Sequence, residues 1–317
     1  MKQKQNERNL LILTLTITLS LAICGGCGQA GGQDSPKDGY TFTDDLGRSV
    51  TVTSFERTAA LLGSYADIWM LAGGTVCATA DDAWDDFHLE LSEDTVNLGQ
   101  TKDLNLEALL GADPDFVIAS TNTSQHLEWQ SSLEDAGITV AYFDVSDFED
   151  YLRMLKVCTD LTGSADIYQT YGTDLQKQIN EILERRKNEP PQKVLVLRAS
   201  ATFIRAKNSD GTVLGAMLKD FGCENIADDD DTLLENLSVE SIALENPDRI
   251  FFIPSGDDTE GMEANIDNMF QENPLWGELD AVKDGKVYYM DKRLYNFKPN
   301  ALWGEAYEKL EEILYAE

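Results

Sequence analysis

Two glutamates lie at matching places in two separate stretches of the chain, and two carboxylates so placed can bind basic groups on another molecule. Glu107 lies seven residues before Pro114, and Glu240 lies seven residues before Pro247. In both stretches a leucine stands three residues before the glutamate, an aspartate follows the proline, and an apolar run comes next. The duplication predicts two similar substructures that each present one carboxylate at the same position.

Each stretch predicts a short helix followed by a buried strand. Asn105 and Ser238 favour a helix N-cap, proline cannot continue a helix, and the apolar runs that follow favour strands. In a βα unit the helix begins at the carboxyl edge of the sheet, where open α/β sheets bind ligands. A lone glutamate in a first helical turn needs no further role, because helix electrostatics favour it by about 0.3–1 kcal/mol. For the matched pair we expect both carboxylates to flank the mouth of an inter-lobe cleft and to dock into basic sockets of a partner protein.

Strand-like and helix-like segments alternate through both halves of the chain, which implies parallel sheets with right-handed crossovers. A hairpin is predicted around residues 44–47, and helices predicted over residues 148–161 and 164–187 separate the two halves. The second helix would be a rod of roughly 36 Å at ~1.5 Å per residue. We therefore predict an α/β protein with two Rossmann-like lobes, mostly parallel sheets, a single long helix joining the lobes and a ligand cleft between them.

The N-terminus predicts export and lipid attachment. The apolar stretch from Leu10 to Ile23 follows a basic segment and is too short for an ordinary membrane-spanning helix. Gly26 before Cys27 resembles the processing site of a bacterial lipoprotein; Cys24 is the second choice for the lipidated residue, and secretion without lipid is the alternative. We expect a protein held by lipid on the extracytoplasmic face of the cell membrane.

The chain is accordingly divided into five predicted parts. They are a signal peptide, a lipid-anchored tether, an N-terminal α/β lobe, an inter-lobe helical linker and a C-terminal α/β lobe, at residues 1–26, 27–39, 40–147, 148–189 and 190–317.

The charge of the chain restricts its partners. Lysine and arginine number 25 against 57 aspartates and glutamates, a net charge of -32. So acidic a chain will not follow a phosphate backbone, and an anionic lipid surface would repel it within a Debye length of about 8–10 Å. We therefore expect no nucleic-acid partner and no membrane attachment other than the lipid. The protein is also expected to be a monomer.

The sequence gives little support to catalysis or to a transition-metal site. It has only two histidines, His88 and His126, and no nucleophile elbow, Walker loop or dinucleotide-binding glycine motif. His126 begins a predicted amphipathic helix and is expected to be exposed. His88 lies in an acidic loop that is expected to be solvated, with cation binding as the alternative. Cys158 falls on an apolar helical stripe and is expected to be buried. We predict no catalytic residue, no metal site and no cofactor of the protein's own.

Loops after the predicted strands carry the candidate ligand-binding residues. Arginines there suit carboxylate, phosphate or iron-chelate oxygens, and aromatic rings can stack on a flat or bulky ligand. For each residue alone, a packing or surface role is an equal alternative. The candidates are Ser64, Tyr65, Trp84, Thr121, Asn122, Arg198, Arg205, Arg293 and Tyr295.

Five motifs, taken in order, resemble those of the binding proteins of iron-siderophore, haem and cobalamin ABC importers. They lie at residues 41–50, 104–115, 222–227, 237–248 and 281–288, within a resemblance that runs from about residue 40 to the C-terminus and includes the leader. The resemblance implies two rigid lobes joined by one long helix, and one glutamate per lobe that forms salt bridges with arginines of the permease. Glu107 and Glu240 match those positions. The ligand-contacting residues do not share a motif, so the resemblance implies no particular ligand.

The expected function is the capture of a ferric siderophore or a related metal chelate, such as haem or cobalamin, and its delivery to an ABC permease with its ATPase. No enzymatic activity is expected. One alternative is a zinc- or manganese-binding importer protein of similar shape, which the scarcity of histidine disfavours. The other is a surface enzyme or a non-catalytic adhesin on the same scaffold. The missing nucleophile–base pair disfavours the enzyme, and the predicted cleft disfavours the adhesin.

Overall fold

The computed structural model describes residues 39–315 of the chain. The predicted signal peptide, Cys24, Cys27 and the predicted tether up to residue 38 lie outside the described residues. Within the described range, none of the helices combines the length and the apolar character needed to span a bilayer.

The described chain begins with the predicted hairpin, formed by the antiparallel strands β1 (Tyr40–Thr43) and β2 (Ser49–Val52). The Asp44 carboxylate accepts hydrogen bonds from the backbone N–H groups of Leu46 and Arg48, which fixes the turn between the strands. The Arg48 guanidinium lies 2.6 Å from the same carboxylate.

A five-stranded parallel sheet, the N-terminal sheet, follows in the order β5-β4-β3-β6-β7. Its strands are β3 (Thr58–Ala60), β4 (Val76–Thr79), β5 (Val96–Asn97), β6 (Phe116–Ser120) and β7 (Thr139–Phe143). The helices that connect them are α1 (Gly63–Leu71), α2 (Asp82–Asp85), α3 (Leu106–Gly111), α4 (Ser124–Glu128) and α5 (Gln130–Asp135). The amphipathic helix predicted to begin at His126 is thus two short helices, α4 and α5, and β5 and α2 were not predicted.

The two halves are connected by helices, as predicted. They are α6 (Phe148–Thr162), α7 (Ala165–Tyr168), a π-helical turn (Gln169–Thr173) and α8 (Asp174–Arg186). A capping box between Asp147 and Asp150 begins α6, and Gly163, with a φ of 73°, ends it in the left-handed conformation that glycine adopts without strain. The π-helical turn brings Gly172 so close to the Tyr168 ring that a Cβ atom would lie 3.1 Å from it. Periodicity alone did not indicate this interruption of the predicted rod.

A second five-stranded sheet, the C-terminal sheet, has the parallel order β10-β8-β11-β12, with β9 antiparallel to β8. Its strands are β8 (Lys193–Ala199), β9 (Ile204–Lys207), β10 (Glu224–Asn225), β11 (Arg249–Pro254) and β12 (Val287–Tyr289). The helices that follow α8 are α9 (Val213–Asp220), α10 (Asp231–Glu235), α11 (Val239–Glu245), α12 (Thr259–Glu272), α13 (Asp280–Lys283), α14 (Lys292–Tyr295) and α15 (Trp303–Tyr315). The two sheets confirm the predicted α/β class with two lobes. The predicted division points at residues 147/148 and 189/190 stay predictions.

One hydrophobic cluster extends through both lobes. It contains one face of each sheet together with buried residues of α6 and α15. The Trp303 ring, fully buried, contacts the rings of Phe148 and Tyr151 at centroid distances of 5.7 and 6.3 Å. Cys158 is buried in the same cluster, which confirms its predicted place in the core. The other faces of the two sheets have separate clusters of their own.

Candidate functional site

Glu107 and Glu240 lie in the first turns of α3 and α11, as predicted. The Asn105 side chain accepts the N–H of Ala108 at 3.0 Å, and Ser238 accepts the N–H of Ser241 at 3.2 Å, so both predicted N-caps are confirmed. Each helix precedes a parallel strand of its sheet, which places its N-terminus at the carboxyl edge. Both glutamates are exposed, and neither forms an ion pair within residues 39–315. Both carboxylates are therefore free to meet a cation from outside.

Exposed leucines accompany the two glutamates. Leu110 follows Glu107 by three residues and is 39% exposed, and Leu244 follows Glu240 by four residues and is 85% exposed. Residues three or four apart lie on the same side of a helix. Each lobe thus presents a carboxylate and an apolar side chain on one helix face.

The carboxyl edge of the N-terminal sheet is organised around a buried histidine. Nδ1 of His126 accepts the N–H of Ser120 at the end of β6, at 3.0 Å. The expectation that His126 is exposed is wrong: the side chain is fully buried, because α4 places it against Ser120 at the end of β6. Burial lowers the pKa of His126 to about 4. The ring is therefore neutral at physiological pH.

Thr121 and Asn122 follow Ser120 directly and lie on this edge. Nδ2 of Asn122 donates to Oδ1 of Asp144, the residue after β7, at 2.7 Å. The hydroxyl of Thr121 is buried and has no hydrogen-bond partner among the described residues. Asn122 is exposed, so its amide is available to a ligand.

Two of the predicted ligand-binding residues are enclosed in the core. Tyr65 is fully buried on α1, and its hydroxyl donates to the carbonyl of Phe143 at 2.8 Å. Ser64 is buried beside it, and its carbonyl accepts from the Asn300 amide at 2.9 Å. The helix begins two residues earlier than predicted, at Gly63, which turns these side chains inward. We revise both expectations, because both side chains are buried and are not accessible to a ligand.

Trp84 lies on α2, which follows β4, and is partly exposed. Its neighbour Asp82 accepts the N–H of Gly63 at 2.8 Å, and burial raises the pKa of Asp82 to about 6. The predicted solvated acidic loop is thus partly built into the packing between α1 and α2. Within residues 39–315, no group of three or more His, Cys, Asp or Glu side chains is arranged to hold a metal ion.

A crossing segment, residues 292–302, runs from the C-terminal sheet onto the helices of the N-terminal sheet. The Lys292 ammonium lies 2.8 Å from the Asp86 carboxylate, and Arg293 lies 3.0 Å from the Asp67 carboxylate on α1. Arg293 also donates to the carbonyl of Lys298 at 2.7 Å.

Arg293 and Tyr295, two of the predicted ligand-binding residues, make contacts within the protein instead. Arg293 is already paired with a carboxylate, and the Tyr295 ring is buried with its hydroxyl bonded to the carbonyl of Ala306 at 3.0 Å. Sequence spacing placed both residues after the last strand, but it did not show that this segment folds back against α1. We revise both expectations and assign these residues to the junction of the lobes.

Arg198 and Arg205 come together at the carboxyl edge of the C-terminal sheet. They are directly paired across the antiparallel strands β8 and β9. Burial lowers the pKa of Arg198, and its Nε atom is buried without a hydrogen-bond partner among the described residues. The Arg205 guanidinium lies over the Phe203 ring, 5.4 Å from its centroid. The sequence analysis listed both arginines as candidate ligand-binding residues, which they remain, and it did not predict β9, the strand that pairs them.

Lys298, in the crossing segment, was missed by the sequence analysis. It retains some exposure, yet burial lowers its pKa, with a further lowering from Arg198 and opposing effects from Asp144 and Asp82. Asp144 and Asp82 follow strands of the N-terminal sheet, and Arg198 ends a strand of the C-terminal sheet. Lys292, in the same segment, lies 2.8 Å from Asp86 after β4 and 2.5 Å from Asp257 after β11, so the carboxyl edges of the two sheets meet beside the crossing segment. A lysine in a short aperiodic loop gave no signal that could have identified this position.

Comparison with known proteins gives a consistent result. A family model described as periplasmic binding protein matches residues 59–294. The high-affinity heme uptake system protein IsdE of Staphylococcus aureus (strain MRSA252) is 23% identical over 234 residues, covering 70% of this chain and 75% of its own. The putative ABC transporter substrate-binding lipoprotein YhfQ of Bacillus subtilis (strain 168) is 21% identical over 283 residues, covering 85% and 86%.

A solved structure shows the same architecture. The siderophore binding protein BauB, bound to a complex between two molecules of acinetobactin and ferric iron, superimposes with a TM-score of 0.71 at 17% identity, covering 88% of this chain and 100% of its own. At this identity the likeness concerns the fold.

Proposed function

Because the chain belongs to the periplasmic binding protein family, we propose that it is an extracytoplasmic, lipid-anchored solute-binding protein that captures a ferric siderophore or a related metal chelate. The carboxyl edges of the two parallel sheets, whose following segments are joined by Lys292 through Asp86 and Asp257, are the observation that carries the proposal. Open α/β sheets bind ligands at these edges. The names of the relatives, which mention heme and a ferric siderophore complex, support a metal chelate as the cargo. The chelate is transported and is not a cofactor of the protein.

Delivery of the cargo is assigned to Glu107 and Glu240. Proteins of this family work with an ABC permease and its ATPase, and exposed carboxylates at matching places on two lobes suit basic sockets on such a partner. Leu110 and Leu244 supply apolar contact beside the two charges. The protein acts by binding and release, without catalysis.

Tryptophan fluorescence tests the capture of a chelate. All five tryptophans lie in the described part of the chain, and Trp84 alone among them is not buried. We expect a ferric siderophore, haem or cobalamin to quench the emission of the soluble domain. Trp84→Phe should lose part of the quenching with the affinity unchanged. Unchanged tryptophan emission across a broad panel of chelates would refute the proposal, provided that circular dichroism shows the domain to be folded.

Substitution of both docking glutamates tests delivery. Glu107→Ala combined with Glu240→Ala should abolish uptake of the cargo by cells and leave its affinity for the isolated protein unchanged. The matched control is Glu128→Ala combined with Glu235→Ala, which removes one exposed glutamate from each lobe. Normal uptake by the first double variant, or equal loss in the control, would exclude the docking role.

The lipid anchor has its own test. Cys27→Ala should release the protein from the membrane fraction, because the -32 charge of the chain gives it no other attraction to an anionic surface. Continued membrane association, together with release by Cys24→Ala, would move the anchor to Cys24.

A further inference from the structure

Three cations share one face at the end of the C-terminal sheet. Arg198 and Arg205 are direct partners across the antiparallel strands β8 and β9, and residues so paired point to the same face. Lys207 follows Arg205 by two residues on the same strand, so it also points to that face. Its partner across the strands is Val196, which is buried in the hydrophobic cluster shared by both lobes. The three cations therefore extend the sheet face that contributes to the shared hydrophobic cluster.

Lys298 adds a fourth cation from the crossing segment. The charge of Arg198 acts on it, and so do those of Asp144 and Asp82 on the N-terminal side. Neither carboxylate comes within the 4.0 Å of an ion pair. The cation cluster is defined as Arg198, Arg205, Lys207 and Lys298; three of its members lie on β8 and β9, and the fourth lies in the crossing segment.

The side chains of the cation cluster have no hydrogen-bond or ion-pair partners in the described part of the chain; the Arg205 guanidinium contacts the face of the Phe203 ring. None of the four forms a side-chain hydrogen bond or an ion pair with any described residue. Elsewhere in the described range most lysines and arginines pair with a carboxylate, for example Arg293 with Asp67 at 3.0 Å. Acidic residues outnumber basic ones by 57 to 25, so a shortage of carboxylates does not explain why these cations are unpaired.

The arrangement costs the folded protein free energy. Like charges directly opposite each other across two strands are destabilising. Burial, followed by the charges of Arg198 and Arg205, lowers the pKa of Lys207. Nε of Arg198 is also buried without a partner in the described structure, which adds a desolvation cost. An anion placed among the four would relieve both costs.

The side-chain types indicate the kind of anion. A guanidinium binds a carboxylate through two parallel hydrogen bonds, and two guanidinium groups lie side by side here. The two ammonium groups act as point charges on the remaining oxygens. We infer that the cation cluster binds the cargo through its anionic oxygens, and that the cargo is a polyanionic, carboxylate-bearing ferric chelate. This inference rests on the proposed function and selects one class among its possible cargoes.

Calorimetric titration of the soluble domain with three probes tests the inference. They are ferric citrate, a neutral ferric trihydroxamate and haemin. We expect ferric citrate to bind, with an affinity that falls as the salt concentration rises, and the neutral trihydroxamate not to bind. Tight, salt-insensitive binding of the trihydroxamate or of haemin would overturn the inference, because it would show that uncharged surfaces and not the cations select the cargo, and it would leave the proposed function standing. Failure of every ferric chelate, haem and cobalamin would remove both.

Charge-neutralising variants give a second, independent readout. Arg205→Gln should weaken binding of ferric citrate about 10–100-fold, since it removes charge-assisted hydrogen bonds. The same variant should unfold at an equal or higher urea concentration, because it removes a repulsive pair. Lys298→Gln should behave in the same way. The control Lys177→Gln removes a charge that is 78% exposed on α8 and should leave the affinity unchanged. Unchanged affinity in both cluster variants would contradict the inference, as would weaker binding that merely follows a loss of stability.

Discussion

Acidification is expected to weaken the edge of the N-terminal sheet through His126. Nδ1 of this buried ring accepts the N–H of Ser120, so the ring is neutral and carries its proton on Nε2. Nε2 is buried without a partner in the described structure, and Tyr142 donates to the backbone carbonyl of His126 at 2.7 Å. A second proton would break the bond to Ser120 and place an uncompensated charge in the core. The unfolded chain takes up that proton freely.

The size of the effect follows from the two pKa values. Burial holds the pKa of His126 at about 4 in the folded protein, against 6.5 for an ordinary histidine. Between these values the unfolded state binds more protons than the folded state, so stability falls as the pH falls. Lowering the pH from about 7 to about 5 should cost roughly 2 kcal/mol through this residue alone. Most of this loss of stability occurs below pH 6.5, the pKa of the histidine in the unfolded chain. The loss stops growing below about pH 4, the pKa in the folded protein.

Urea unfolding of the soluble domain at both pH values measures this contribution. Because 57 acidic residues also respond to pH, the informative quantity is the difference between variants. His126→Asn keeps an acceptor near the position of Nδ1 and does not titrate, so it should lose about 2 kcal/mol less than the native chain on acidification. His88→Asn is the matched control. His88 is exposed and has a φ of 50°, a conformation that asparagine tolerates. Identical pH dependence in the native chain and in His126→Asn would refute the reasoning.

The junction between the lobes and two glycines give further predictions. Arg293→Met should lower the free energy of unfolding by about 1–3 kcal/mol, because the largely buried Asp67 carboxylate loses the guanidinium that lies 3.0 Å away. Urea unfolding at neutral pH measures this loss. An unchanged midpoint of unfolding would contradict the prediction. Gly63→Ala should cost about 1–3 kcal/mol, because the new Cβ would lie 2.5 Å from a backbone nitrogen of α2. Gly111→Ala, where nothing lies within 4 Å of the new Cβ, should instead raise the free energy of unfolding by about 0.5–1 kcal/mol. Thermal unfolding of both variants measures the two effects, and equal changes in midpoint would contradict the prediction.

Features that depend on local sequence were predictable. The duplicated spacing around Glu107 and Glu240 correctly placed a capped helix and a buried strand in each half. Caps are local interactions between residues three apart, and a strand buried on both faces needs an apolar run. The two-lobed α/β class follows from these local patterns together with the handedness of βαβ connections.

The ligand-binding residues were harder to predict, because their roles depend on contacts between distant parts of the chain. Tyr65 and Arg293 are of types that bind ligands, yet the core encloses Tyr65, and the Asp67 carboxylate on α1 pairs with Arg293. Periodicity gives the buried face of a helix but not the partner that covers it. Lys298 lies in a loop without periodicity, and its importance appears only when both sheet edges are in place.

The shared core restricts how the cleft can work. A single hydrophobic cluster includes residues of both sheets, and Lys292 contacts Asp86 beside one sheet and Asp257 beside the other, at 2.8 and 2.5 Å. A wide hinge opening would separate these groups and expose part of the cluster to water. This exposure would cost a free energy of about 25 cal/mol for each Å² of apolar surface. We therefore expect the lobes to move little when cargo binds. The cations at the cleft are then held in place before the cargo arrives, and affinity comes from charges already positioned instead of from closure. A partner that binds Glu107 and Glu240 at the same time, as proposed above, would contact one point on each lobe, so we expect the partner to move the lobes apart when the cargo is released.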